Sequence, residues 1–296
     1  MRRPSLLLLL LAVPCFAQTQ QRPAITGVAF FRMYTADPAA SAVFYGKTLG
    51  LPGNESNGTT RYTINNAQWL EVKPLPTPAP ASRMEAVAFT TRNAKALQRY
   101  LKTQSVAIVQ PLAHGTFGVH DPEGNLILFV QRGVKPSGLP APSPTAISHR
   151  IIHTGIIVRD RAAEDHFYRD VLGFRPYWHG GKTPDSTDYV SIQVPDGSDW
   201  IEYMLNVSPT PTLHEYGVFD HFSLGTTHMT DVVAALARNQ CTGPNCANSK
   251  LGVDGKVQLN LYDPDLTRVE FMEFQPVKKP CCSDFTGKHP TETEDQ

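Results

Sequence analysis

An internal repeat constrains this chain more than any other feature. Residues 30–51, FFRMYTADPAASAVFYGKTLGL, align without gaps on residues 153–174, HTGIIVRDRAAEDHFYRDVLGF. Asp37 falls on Asp160, Phe44-Tyr45 on Phe167-Tyr168, and Leu49-Gly50 on Leu172-Gly173. In both copies a run of apolar, β-branched and aromatic residues reads as a strand. The Asp then caps a helix whose apolar residues recur at helical spacing, and the Gly ends it. Another pair of segments shares a different mark, HDPEGNLILFV (120–130) against YDPDLTRVEFM (262–272), where Asp-Pro turns the chain into a final strand. One supersecondary unit is therefore used several times.

Proline-rich stretches punctuate the repeats: KPLPTPAPAS (73–82), KPSGLPAPSPT (135–145) and NVSPTPTLHEYG (206–217). Proline removes a backbone donor and fixes φ, so these stretches are expected to be connections rather than central strands or helix interiors. They leave four segments, each reading as strand, helix, then about three strands. The longest connection marks a domain boundary. The expected fold is α+β, with four tandem βαβββ modules paired into two domains at 25–132 and 149–275. A linker at 133–148 joins them and a cysteine-containing tail follows at 276–296.

The chain opens MRRPSLLLLLLAVPCFA. Arg2 and Arg3, the apolar run Leu6 to Val13 and the cleavage site after Ala17 are expected to form a signal peptide over 1–17, with export to the periplasm or medium. Its loss leaves 25 basic against 27 acidic residues. A near-neutral chain without basic runs offers no electrostatic surface for nucleic acid or an anionic membrane. Four cysteines then remain, Cys241 and Cys246 in CTGPNC and the adjacent Cys281 and Cys282. Export and an even count favour disulfides over a zinc or redox site, since these spacings are not those of structural zinc. The tail is expected to be tied to the 241–246 loop.

Within the second half, His153 and Glu202 are 49 residues apart, and so are His221 and Glu270. Each His opens an apolar run (HTGIIV, HFSLGT), and each Glu sits inside one (WIEYML, RVEFMEF). A carboxylate inside a buried strand is costly unless its charge is compensated. Two such carboxylates, each matched to a strand-borne His, imply one divalent metal. Asn260 and Tyr262 on the preceding strand and Arg268 beside Glu270 are candidate substrate contacts by the two-residue period of a strand. Trp200, Met204 and Met272 share the faces of the two Glu residues and are expected to pack the core. His149, His166, His179, His214 and His228 lack supporting spacing and are expected on surfaces or loops.

The motifs H-x-G-I-x-V-x-D, F-Y-x-x-x-L-G-F, W-I-E-Y and Y-D-P-D-x-x-x-V-E resemble the vicinal oxygen chelate superfamily, which includes glyoxalase I, extradiol dioxygenases, fosfomycin-resistance proteins and bleomycin-binding proteins. The resemblance covers residues 25–275. It implies that paired modules form half-open β-barrels, with metal ligands on the first and last strand of each module. His153, Glu202, His221 and Glu270 then form one site, in the order of bacterial glyoxalase I. The same rule gives Phe30, Glu71, Ala86 and Leu128 in the first half, which cannot hold a metal. That half is expected to shape the cleft or a homodimer surface.

Two imidazoles and two carboxylates suit Zn, Ni, Co, Mn or Fe(II). The metal would polarise a small oxygen-chelating substrate, with Glu202 or Glu270 as general base, in a lyase or isomerase reaction. With His153, His221 and Glu270 alone the set becomes the facial triad of an Fe(II) dioxygenase. Extradiol enzymes carry a His shortly before their Tyr-x-x-Asp-Pro stretch and a Gly after the Pro. Here that His is missing, Tyr262 adjoins Asp263, and Leu266 replaces the Gly. Export separates the protein from the cytosolic thiol cosubstrate of glyoxalase I. A binding protein of the bleomycin-resistance kind is the non-catalytic reading.

Overall fold

The computed structural model describes residues 21–293; the expected signal peptide lies outside them. The first repeat runs β1 (Ile25–Thr35), α1 (Pro38–Ala42), β2 (Gly53–Ser56), β3 (Thr59–Thr63) and β4 (Trp69–Pro74), then β5 (Met84–Thr91), α2 (Ala94–Thr103), β6 (Ile108–Ala113), β7 (Thr116–His120) and β8 (Leu126–Gln131). The second runs β9 (Ile151–Ile157), α3 (Arg161–Asp165), β10 (Arg175–Gly180), β11 (Tyr189–Gln193) and β12 (Trp200–Met204). It continues through α4 (Leu213–Phe219), β13 (His221–Thr226), α5 (Met229–Arg238), β14 (Lys250–Leu251), β15 (Val257–Tyr262) and β16 (Arg268–Glu273). The four βαβββ modules are thus present, in two eight-stranded sheets ordered β2-β3-β4-β1-β5-β8-β7-β6 and β10-β11-β12-β9-β13-β16-β15-β14.

Local sequence explains the repeated entry. The Asp37 and Asp160 carboxylates accept the backbone N–H of Ala40 and Ala163, capping α1 and α3. Both helices continue into a π-helical turn, and Gly50 and Gly173 follow with positive φ. One core joins the two halves. Phe31 packs on Phe222 at 5.2 Å and Phe89 on Phe174 at 5.4 Å, between the outward faces of the two sheets.

The two inner faces carry separate clusters. In the first half, Phe30, Trp69, Ala86, Ala88 and Leu128 are covered by Val134 and Leu139 of the linker. In the second, Tyr177, Trp178, Trp200 and Met272 pack against Phe285 of the tail. Each segment that follows a last strand thus plugs the barrel it has just left.

Two expectations are corrected here. The tail is not bonded to the 241–246 loop: Cys241 pairs with Cys246 and Cys281 with Cys282. The reason is the course of the tail, which runs beside β10. Ser283 bonds His179 through both backbone groups, Thr286 N–H donates to the Tyr177 carbonyl, and Trp178 Nε1 donates to the Cys281 carbonyl. That path leaves each cysteine only its local partner. The stretch 206–217 is likewise not wholly a connection, because α4 begins at Leu213. Thr212 and Glu215 form a reciprocal capping box there, a T-x-x-E signal hidden by the prolines before it.

Among the described residues no helix is long and apolar enough to cross a membrane.

Candidate metal centre

The second sheet arranges the site as two rows across its inner face. Trp200, His153 and Ser223 are register partners on β12, β9 and β13, and Glu270 on β16 and Asn260 on β15 extend that row. Ser191, Glu202, Gly155 and His221 form the next row on β11, β12, β9 and β13. The first sheet repeats the pattern, with Trp69, Phe30, Ala88 and Leu128 in one row. The residues found equivalent by alignment are therefore equivalent in register, and the first half fills its row with apolar side chains. Its Glu71 is held by Arg32 at 2.6 Å and Arg61 at 3.0 Å instead.

His153, His221 and Glu270 converge as a group able to hold a metal ion. His153 Nε2 lies 3.1 Å from Glu270 Oε2 and 3.2 Å from His221 Nε2, and His221 Nε2 lies 3.8 Å from the same oxygen. Donors each ~2.1 Å from one ion at right angles are ~3 Å apart, so this spacing fits ligation. All three side chains are buried, and Glu270 Oε2 has no hydrogen-bond partner.

Backbone features supply the room. A Cβ on Gly155 would collide with the His221 ring and with the Phe219 carbonyl. That carbonyl, at the end of α4, accepts from His221 Nδ1 at 2.9 Å and leaves Nε2 for a metal. Gly217 lets α4 lie against the Leu266 backbone carbonyl, where a Cβ would clash. Leu266, where the extradiol resemblance implies Gly, adopts a φ of 69°, the left-handed conformation that Gly would take.

Electrostatics suit the same chemistry. Burial lowers the pKa of both His153 and His221, and Arg268 lowers that of His221 further, so both imidazoles are neutral. Burial opposes the Glu270 charge, but Arg268 first and then the nearby His153 imidazole outweigh it and hold the carboxyl well below its ordinary range. Arg268 donates to His221 Nε2 at 2.6 Å and stands 3.9 Å from Glu270 Oε1. That contact and metal ligation are mutually exclusive, since one lone pair serves both.

Glu202 stands apart from the three. With Glu270 it lines a cavity of about 230 Å³, but its carboxylate leans to the Ser191 hydroxyl at 3.5 Å while the His221 ring occupies the space over Gly155. Burial first, and Glu270 second, raise its pKa to about 8, so it is protonated at neutral pH. Asn260 and Arg268 line the cavity, whereas Tyr262 lines a separate one of about 390 Å³ beside the Cys241–Cys246 loop and packs on His214 at 5.6 Å. Trp200 and Met272 are core residues as expected; Trp200 also stacks on His153 at 4.6 Å. His149 is half-buried, and His166, His179, His214 and His228 are exposed. Tyr189, Gln258, Asp254 and Lys182 also stand in the cavity walls, unmarked by any motif.

Comparison with known proteins agrees with this architecture. The model of the glyoxalase/bleomycin resistance protein/dioxygenase superfamily matches residues 27–129 and again 150–271. The chain belongs to this superfamily. A variant of homoprotocatechuate 2,3-dioxygenase from Brevibacterium fuscum is similar in structure, with a TM-score of 0.65 and 18% identity over 92% of this chain and 76% of its own. The homoprotocatechuate 2,3-dioxygenase of Arthrobacter globiformis gives 0.63 and 18% over 88% and 83%. The 2,3-dioxygenase LapB of Pseudomonas sp. KL28 gives 0.63 and 13% over 88% and 99%. At these identities the likeness is one of fold. No curated protein matches the sequence.

Proposed function

We propose that this protein is an Fe(II)-dependent, extradiol-type dioxygenase, and that His153, His221 and Glu270 hold the iron. The observation that carries the reading is the number of converging donors: three residues form the group, and Glu202 is not among them. Two imidazoles and one carboxylate are the facial triad of non-haem Fe(II) oxygenases, whereas the glyoxalase-like set needs a fourth ligand. The names of the structural neighbours point the same way. Iron held there would supply a redox-active Lewis acid with positions open to a diol and to dioxygen.

The chain's own residues would serve a small vicinal diol. The cavity, at about 230 Å³, is below the ~300–1,000 Å³ of drug-sized sites and suits a single ring. Asn260 Oδ1 is buried without a partner and can accept from a substrate hydroxyl beside Glu270. Protonated Glu202 can donate its carboxyl proton to a developing oxyanion and recover it from a hydroxyl. Arg268 offsets the carboxylates, and Met204 and Trp178 provide apolar wall. The sequence at 1–17 adds export to the proposal.

The test loads metal-free protein with Fe(II), Mn, Zn or Ni and offers catechol-type diols. Fe(II) should support oxygen uptake equimolar with diol loss. Turnover with Zn or Ni in the absence of oxygen would replace this reading with a lyase or isomerase, with Glu202 as base.

A further inference from the structure

Lys256 has no exposed surface, which is rare for lysine. Its Nζ lies 4.9 Å from the Trp200 ring centroid, 5.4 Å from Phe285 and 5.7 Å from Tyr177. Three ring faces therefore enclose the ammonium as an aromatic cage. Nζ also reaches the Tyr177 hydroxyl at 3.4 Å, and that oxygen meets His289 Nδ1 at 2.6 Å, so the tail closes the cage from below.

Burying an ammonium is costly, and a methionine would fill the same space without that cost. The charge is kept nonetheless. Burial lowers the Lys256 pKa to about 8, while Asp254, Glu270 and Glu202 act against that shift, leaving a cation at neutral pH. Trp200, one wall of the cage, is also the ring on which His153 stacks, at 4.6 Å and 27°. The ammonium is consequently within about 10 Å of a metal ligand, with a single indole joining the two.

We propose that Lys256 is a positioning and charge-setting residue of the metal centre: it fixes Trp200 against His153, and its ammonium weakens the hold on a divalent cation. The inference rests on the metal-centre reading above but not on the reaction assigned to it. Like charges at this distance in a poorly screened interior change affinity by about tenfold or more.

The sign of the effect separates this role from a purely structural one. Metal-free wild type, K256M and K256R are titrated with Zn(II) against a chromophoric chelator, a readout independent of turnover. K256M should bind Zn(II) at least tenfold more tightly, and K256R should stay within threefold of wild type. K256Q, which keeps a polar reach to Tyr177, carries the same expectation as K256M should that variant fail to fold. Unchanged or weaker binding in the uncharged variant would overturn the proposal and leave Lys256 a mere support for the tail. Wild type that binds no metal would overturn the metal-centre reading itself, a distinct result.

Discussion

His153 and Glu270 meet over an intervening strand: Nε2 lies 3.1 Å from Oε2 although β9 and β16 are separated by β13. Ser223 is the register partner of both, and its small side chain lets the two lean together. In the next row Gly155 does the same for His221. Gly155 is not among the glycines with positive φ, so alanine there carries no φ penalty, and its Cβ acts by pushing on the His221 ring and the Phe219 carbonyl. G155A should fold yet displace His221, weakening metal binding about 10–100-fold, as disturbing a ligand's support typically does. Calorimetric titration against wild type, with thermal melts as the folding control, measures it.

A reciprocal pair of hydrogen bonds joins the halves. Tyr45 of the first donates to Asp263 of the second at 2.8 Å, and Tyr168 of the second donates to Asp121 of the first at 3.2 Å. Both Asp residues open the Asp-Pro turns recognised in the repeat. Y45F and Y168F each leave a buried carboxylate short of a donor and should cost about 1–3 kcal/mol in chemical denaturation. The shorter Tyr45 bond should give the larger loss.

Stability should fall as pH rises through the neutral range, because of Glu164 at the same junction. Its burial, and Asp121 beside it, raise its pKa to about 9 from an ordinary 4.5. The unfolded chain releases this proton near pH 4.5 and the folded chain keeps it to about 9, so stability present below 4.5 is lost across that window. E164Q has no such proton to lose. Its melting temperature should exceed that of wild type by about 2–4 °C or more at pH 8, and the gap should close towards pH 4.5.

Much of this was legible in the sequence. The repeat located the strands, and the alignment of Phe30 with His153 and of Leu128 with Glu270 proved to be alignment in register. Periodicity could not show which Glu would turn into the cluster. That depends on Gly155 and Ser191 flanking Glu202 on neighbouring strands, a relation between distant segments. The Lys256 cage was hidden for the same reason, since Phe285 and His289 reach it from the tail. The signal that could have marked it is the two-residue period, by which Lys256 shares the face of Gln258 and Asn260.

The most direct measurement of the central claim is the iron content of wild type, E202Q and E270Q after anaerobic loading and desalting. A three-ligand centre predicts about one Fe(II) per chain in wild type and E202Q and almost none in E270Q. Equal loss of iron from both variants would contradict it and restore the four-ligand centre.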